Sequence, residues 1–310
     1  MTLPRMRILM AAYQGAPYLQ AQLDSFVAQS HPDWALWVSD DGSTDGTRDI
    51  LAAFAAAHPE REIRLFTGPE KGLAANFLSL MTRPEMPQDG ACVALSDQDD
   101  VWHPDRLARA ARALQPPAGA RPTLYAAQTV VTDATLRPLR KQARTRKAGG
   151  FRNALVQNVM AGNTMALNPE ALALVRSTCP RQPVPFHDWW LYLLVTGAGG
   201  AVIQDQQATV FYRQHARNAL GAHGSAAARL RRLGLVLDGT YLRWSYANLS
   251  ALQEVAAVLT PAHRALIAPL TGSLGQRGLR RVQALQRAGA HRDSRAGQMA
   301  LTALALAGRA

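Results

Sequence analysis

Between residues 7 and 114, four short apolar runs alternate with amphipathic stretches, and this alternation constrains the fold more than any other feature. The runs at 7–12, 35–39, 63–66 and 91–95 are too short for buried helices and read as buried strands. Pro17 predicts the start of a helix whose apolar face carries Leu19, Leu23, Phe26 and Val27. Ser43 or Thr44 can cap a second helix bearing Ile50, Leu51 and Phe54. A third helix is predicted at Leu73–Met81, and a fourth begins at Pro104. Strands alternating with helices predict an α/β fold, a Rossmann-like and mostly parallel sheet flanked by helices. Such sheets bind ligands outside the carboxyl ends of their strands. Three polar turns fall at that end: Tyr13-Gln14-Gly15, residues 40–46 and residues 96–100. They are expected to converge on one crevice.

Beyond Pro122 the pattern loosens. A strand is expected at 123–131, a basic stretch at 137–147, and ordered segments at 151–166 and 169–175. Residues 187–195 read as a helix, 208–212 as a strand, and the chain from about 225 as mostly helical. These features suggest a catalytic domain at 1–223, with a nucleotide-binding part near 1–120 and an acceptor part near 121–223. Residues 224–310 form a basic helical C-terminal region.

Composition narrows the class. Hydrophobic residues make up 48% of the 310, which supplies a sizeable core and argues against global disorder. The two cysteines, Cys92 and Cys179, lack the spacing of a zinc site or disulfide framework, in keeping with a reducing cytoplasm. Cys92 reads as a small core residue. The longest uncharged apolar stretch, 191–203, has 13 residues, whereas a membrane span needs roughly 20. The N-terminal apolar run is likewise too short for a signal-peptide core. A cytoplasmic location is expected. Charge is uneven: residues 224–310 hold 12 Arg and Lys against 3 Asp and Glu, while 1–223 hold 22 against 19. That excess suits either a solvated basic face or attraction to anionic phosphates, including peripheral contact with a membrane. Leu230, Leu233, Val236 and Leu237, flanked by Arg229, Arg231 and Arg232, read as a helix that either docks on anionic lipid or packs on the catalytic domain.

Asp97, Asp99 and Asp100 crowd three carboxylates into four residues, so each raises the others' pKa unless a cation compensates. Hard divalent ions take such oxygen ligands together with substrate phosphates, which makes Mn²⁺ or Mg²⁺ the expected cofactor. A solvated turn capping the helix at Pro104 is the bland alternative. Asp40 and Asp41 are common turn-formers, yet a carboxylate at a strand end can also accept a hydrogen bond from a nucleobase or ribose.

The segments AAYQGAPYLQAQLDSFVAQS, WVSDDGSTDGT and LSDQDDVWHPDRL, in this order, resemble family 2 glycosyltransferases of the GT-A fold. MAGNTMALN, HDWW and YRQHARNALG are similar to the bacterial rhamnosyltransferase-like members, so the resemblance covers about residues 7–221. It implies that Tyr13 and Asp41 hold the base, with Ala11 as a backbone contact. Asp97 and Asp99 match the DxD motif; Asp99 binds the metal, and Asp100 follows as a donor-sugar or supporting residue. Asp188 falls where the family places its catalytic base, and the preceding residue, often acidic in the family, is here His187. His215 matches a histidine that reaches the metal or the diphosphate, between Arg213 and Arg217. Gly162 and Asn163 match a loop near the acceptor, and Trp189 is likewise expected to contact the acceptor.

The resemblance thus implies an inverting, non-processive enzyme. It would move a sugar from a dTDP- or UDP-sugar donor to a saccharide or lipid-linked acceptor in surface polysaccharide synthesis. Arg243-Trp244 is similar to the end of the QxxRW motif of processive members, but position 240 is Thr. A sugar-phosphate nucleotidyltransferase would want a Gly-rich basic loop after the first strand, and a dehydrogenase a G-x-G-x-x-G; neither occurs there. The C-terminal basic residues have few interleaved aromatics, so a nucleic-acid stacking platform is not evident and no nucleic-acid partner is expected.

Overall fold

The computed structural model describes residues 2–115, 120–141, 149–178, 180–215 and 238–309. The predicted helix at 230–237, the remainder of the basic stretch from 142, Cys179 and Arg217 lie outside the described residues. Two compact units are formed: Met1–Arg144, Met160–Cys179 and Gly200–His215 make the first, and Thr145–Val159, Pro180–Gly199 and Ala216–Ala310 the second.

The first unit is built on one sheet. Its opening half follows the alternation: β1 (Met6–Ala12), α1 (Ala16–Val27), β2 (Trp34–Asp40), α2 (Thr47–Ala57), β3 (Ile63–Thr67), α3 (Leu73–Met81) and β4 (Cys92–Ser96). β5 (Val101–Trp102), α4 (Arg106–Leu114), β6 (Thr123–Thr132), β7 (Pro138–Lys141), β8 (Ala166–Leu167), α6 (Pro169–Ser177) and β9 (Ala201–Arg213) complete it; α5 (Phe151–Ala154) belongs to the second unit. The strand order is β3-β2-β1-β4-β8-β6-β9-β5, with β7 on β6. β3, β2, β1 and β4 pair in parallel, as the alternation predicts. β8 then runs antiparallel between β4 and β6, so the sheet is mixed from there on.

All seven residues of β1 and of β2 are buried, as strands covered on both faces must be. Met6, Ile8, Met10, Leu36 and Val38 meet Leu19, Leu23 and Phe26 of α1 and Leu51 and Phe54 of α2 in the core. Cys92 is part of this cluster, and its burial pushes the thiol pKa up to about 12, so it is an inert core residue. Register aligns the carboxyl ends: Ala12 pairs with Asp40, Asp40 with Thr67, and Met10 with Ser96. β9 is longer than its apolar run indicates. Its polar section survives because Asp205 receives two bonds from Arg109, at 2.7 and 2.9 Å, and one from the Tyr125 hydroxyl at 2.9 Å.

The second unit is helical: α5, α7 (His187–Gly197), α8 (Thr240–Glu254), α9 (Pro261–Gly272), α10 (Leu279–Arg287) and α11 (Arg295–Leu306). α7 is buried along nearly its whole length. The Trp189 indole donates to the Ala154 carbonyl at 2.7 Å, and the Tyr192 hydroxyl accepts from the Gly150 amide at 2.7 Å, tying α5 to α7. Among the described residues, no helix is long and apolar enough to cross a membrane.

Candidate active site

At the carboxyl edge of the sheet the three polar turns are bonded to one another. The Tyr13 amide donates to Gln98 Oε1 at 2.8 Å, and Gln98 Nε2 returns a bond to the Tyr13 carbonyl at 2.7 Å. The Gln14 amide donates to Ser43 Oγ at 2.9 Å, and its side chain to Thr44 Oγ1 at 3.0 Å. The Gly15 amide reaches Thr47 Oγ1 at 2.8 Å, and a Cβ on Gly15 would collide with the Gln98 side chain. Ser43 and Thr44 are therefore used between turns. α2 instead starts at Thr47, preceded by Gly46 in the left-handed conformation, with Asp45 accepting from the Thr47 amide at 3.2 Å.

Asp40 and Asp41 take different tasks. Asp40 closes its own turn, accepting from the Ser43 amide at 3.2 Å and pairing with Arg48 at 3.1 Å. Asp41 is buried and anchors the loop after β3. Its Oδ1 accepts from the Glu70 amide at 2.6 Å, and its Oδ2 from the Gly72 amide at 2.9 Å. A carboxylate offers about four lone-pair sites, so two remain after these bonds. Ala11 is buried in β1, whereas Tyr13, just beyond it, is 57% exposed.

The acidic turn after β4 brings one oxygen each of Asp97, Asp99 and Asp100 within 4.8 Å of one another. Asp100 is fully buried; Asn163 Nδ2 donates to its Oδ2 at 2.6 Å and the Arg213 amide to its Oδ1 at 3.0 Å. Burial, with Asp99 and Asp97 adding like charge, raises the Asp100 carboxyl well above the usual carboxylate range. A divalent cation would relieve that crowding, and three hard oxygen donors suit Mg²⁺ or Mn²⁺. The residues present therefore fit such an ion.

The end of β9 closes this side. His215 Nε2 lies 2.8 Å from Asp99 Oδ2, and the His215 ring stacks on Tyr18 of α1, with ring centroids 4.7 Å apart. Arg213 turns inward. It donates to the carbonyls of Asp99 at 2.9 Å and Ala134 at 2.6 Å, and its guanidinium lies over the Tyr18 ring. Below the turn, Arg106 is buried, 3.6 Å over the Trp102 ring, and donates to the carbonyls of Leu95 at 2.9 Å and Asn163 at 2.5 Å. Burial draws its pKa down to about 9. Gly162 and Asn163 form a buried 3₁₀ turn, and Asn163 holds Asp100. Gln98, Tyr18 and Arg106 lie inside the motif segments, but only the folded contacts reveal what they do in the site.

Asp188 and Trp189 lie in the second unit, in the first turn of α7. Asp188 is half-buried, and its Oδ1 accepts from the Trp189 amide at 2.7 Å. Trp189 is buried, with its indole N–H committed to Ala154.

Comparison with known proteins decides the family. The profile of "Glycosyl transferase family 2" matches residues 7–172, more than half of the chain, including β2, β3, β4 and nearly all of β1 with the turns that follow them. The chain belongs to glycosyl transferase family 2. It is 27% identical over 283 residues to the dTDP-rhamnosyl transferase RfbG of Shigella flexneri, covering 89% of this chain and 95% of the relative. The putative teichuronic acid biosynthesis glycosyltransferase TuaG of Bacillus subtilis is 33% identical over 104 residues, 34% of this chain and 39% of TuaG. Among solved structures, mannosyltransferase PcManGT from Pyrobaculum calidifontis, in complex with GDP-Man and Mn²⁺, superimposes with a TM-score of 0.53. Its identity is 19%, over 99% of this chain and 86% of that one. S. aureus TarS 1–349 in complex with UDP-GlcNAc gives a TM-score of 0.54 at 13% identity, covering 92% and 90%. At these identities the likeness shows the fold, the GT-A arrangement of a sheet with flanking helices.

Proposed function

We propose that this family 2 glycosyltransferase moves a sugar from a nucleotide diphosphate donor to an acceptor hydroxyl, with inversion and one sugar at a time. The carrying observation is the bonded set of turns that gathers Asp97, Asp99 and Asp100 beside Tyr13 and Asp41. Tyr13 and the backbone at Ala11 face the base, and Asp41, oriented by two backbone amides, has lone pairs left for a base N–H. Asp99 and its neighbours, with His215, would hold a divalent ion. Such an ion would offset the negative charge that grows on the departing diphosphate. Asp100, gripped by Asn163 and the Arg213 amide, fixes the turn and faces the donor sugar. Residues 1–223 form the catalytic part of this scheme, with the acceptor part near 121–223.

Asp188 takes the proton from the acceptor hydroxyl as the oxygen attacks the anomeric carbon opposite the leaving nucleotide. A carboxylate in the first turn of a helix sits where the helix dipole favours negative charge. Gly162 and Trp189 shape the acceptor side. The similarity to RfbG across nearly both chains supports dTDP-rhamnose as donor. In this reading the acceptor is a saccharide or lipid-linked acceptor of a surface polysaccharide, reached from the cytoplasm.

The test is the Asp188→Asn variant with dTDP-rhamnose and Mn²⁺. Transfer is expected to fall by on the order of 10²–10⁴-fold while nucleotide-sugar affinity, read by calorimetry, stays unchanged. Undiminished turnover would remove Asp188 as the base.

A further inference from the structure

The outward face of α11 is apolar. Its exposed positions Ala296, Met299, Ala300, Ala303 and Leu306 recur at spacings of three and four, the repeat of a single helix face. Met299 is 74% and Leu306 46% exposed, while Leu301 and Ala305 are buried on the opposite side. A surface helix ordinarily turns polar residues outward, so this helix is apolar on the wrong side. The patch extends to α10. The Gly278 amide donates to the Leu306 carbonyl at 3.0 Å, setting the start of α10, with Leu279 69% exposed, against the end of α11.

The rim of this patch is cationic. Residues 277–309 contain seven Arg and a single acidic residue, Asp293. Arg281 is buried against the Leu270 carbonyl and Ser273 Oγ, and Arg292 is engaged with the Val156 carbonyl and the Tyr241 hydroxyl. Arg277, Arg280, Arg287 and Arg295 are exposed. Gly308, at φ 69°, lets α11 end against Arg277: a Cβ there would stand 2.7 Å from Arg277 Cγ.

We propose that α10 and α11 dock on an anionic lipid bilayer. Met299, Leu306 and Leu279 enter the boundary between headgroups and acyl chains, and the four exposed arginines meet lipid phosphates. Charge selects this occupant over a second copy of the chain. A two-fold interface through this patch would set the arginine rim against its own image, where like charges repel. A lipid surface satisfies the apolar stripe and the rim together. This surface is independent of which sugar is transferred.

The full chain is to be sedimented with phosphatidylglycerol/phosphatidylcholine vesicles and with pure phosphatidylcholine vesicles, at low and high salt. Binding only to the anionic vesicles, weakened by salt, is the expected result. The double variant Met299→Gln/Leu306→Gln should bind at least tenfold more weakly, and Arg280→Gln/Arg287→Gln should lose most of the salt dependence. All four positions are exposed, so both variants should keep the wild-type melting temperature. Nucleotide-sugar hydrolysis should also be retained, which separates failure of docking from failure of the transfer site. The proposal is overturned if the wild type stays in the supernatant with anionic vesicles, or if Met299→Gln/Leu306→Gln binds undiminished. Light scattering that shows a dimer dissolved by these same substitutions, without vesicle binding, would overturn it in favour of self-association.

Discussion

Gly68 lies where the loop after β3 crosses the Asp41 turn, and its amide donates to the Asp40 carbonyl at 2.7 Å. A Cβ there would stand 2.6 Å from Asp41 Oδ1, 2.9 Å from Asn76 Oδ1 and 3.0 Å from Asp41 Cα. Two of these neighbours are themselves held, Asp41 by two amides and Asn76 by a bond from its Nδ2 to the Ser39 carbonyl at 2.9 Å. Gly68→Ala should therefore cost about 1–3 kcal/mol in urea denaturation and weaken nucleotide-sugar binding as Asp41 is displaced. Arg106 is the counterpart under the acidic turn. Arg106→Met would leave the Leu95 and Asn163 carbonyls without their donor, at a cost on the order of 3 kcal/mol. The same substitution should loosen Asn163 and with it Asp100. A variant as stable as wild type would show that the buried guanidinium is dispensable.

Among the elements, α7 carries a pH signature. His187 is fully buried at its first position, and burial draws the imidazole pKa down to about 3. The folded state keeps this ring neutral, whereas the unfolded chain protonates it near 6.5. Its contribution is thus present above pH 6.5 and is lost progressively as pH falls toward 3, at up to about 1.4 kcal/mol per pH unit. Thermal or urea stability of wild type should decline more steeply between pH 6.5 and 5 than that of His187→Gln. Parallel slopes would mean the ring is already protonated in the fold. β9 has the opposite character: its polar middle is sustained by Arg109 and Tyr125, and its end delivers Arg213 and His215 to the acidic turn.

For the molecule as a whole, the donor site is a thermodynamic handle. A ligand that binds only the folded state stabilises it by about 2.7 kcal/mol at a hundred times its Kd. A melting-temperature rise with dTDP-rhamnose plus Mn²⁺ is expected, shrinking sharply when EDTA removes the metal. An identical rise with and without chelator would separate nucleotide binding from the Asp97, Asp99 and Asp100 group. The basic C-terminal charge was visible in composition, but its pairing with an apolar stripe on α11 was not, because exposure depends on which face the neighbouring helices cover.

The residues alone fixed the parallel half of the sheet and the position of its polar turns, because strand and helix periods are local and hydrophobic burial follows them directly. α3 occurs at the predicted bounds, and the turns after β1, β2 and β4 meet as expected. Only the tertiary structure decided what each carboxylate touches: Asp40 bound within its turn, Asp41 to the loop after β3, Asp100 to Asn163 and Arg213. Those partners stand up to 113 positions away along the chain, and a long-range hydrogen bond leaves no periodic mark in sequence. The antiparallel insertion of β8, two residues long, was hidden for a related reason: a strand that short has no period to read, and pairing from both sides is what makes it one.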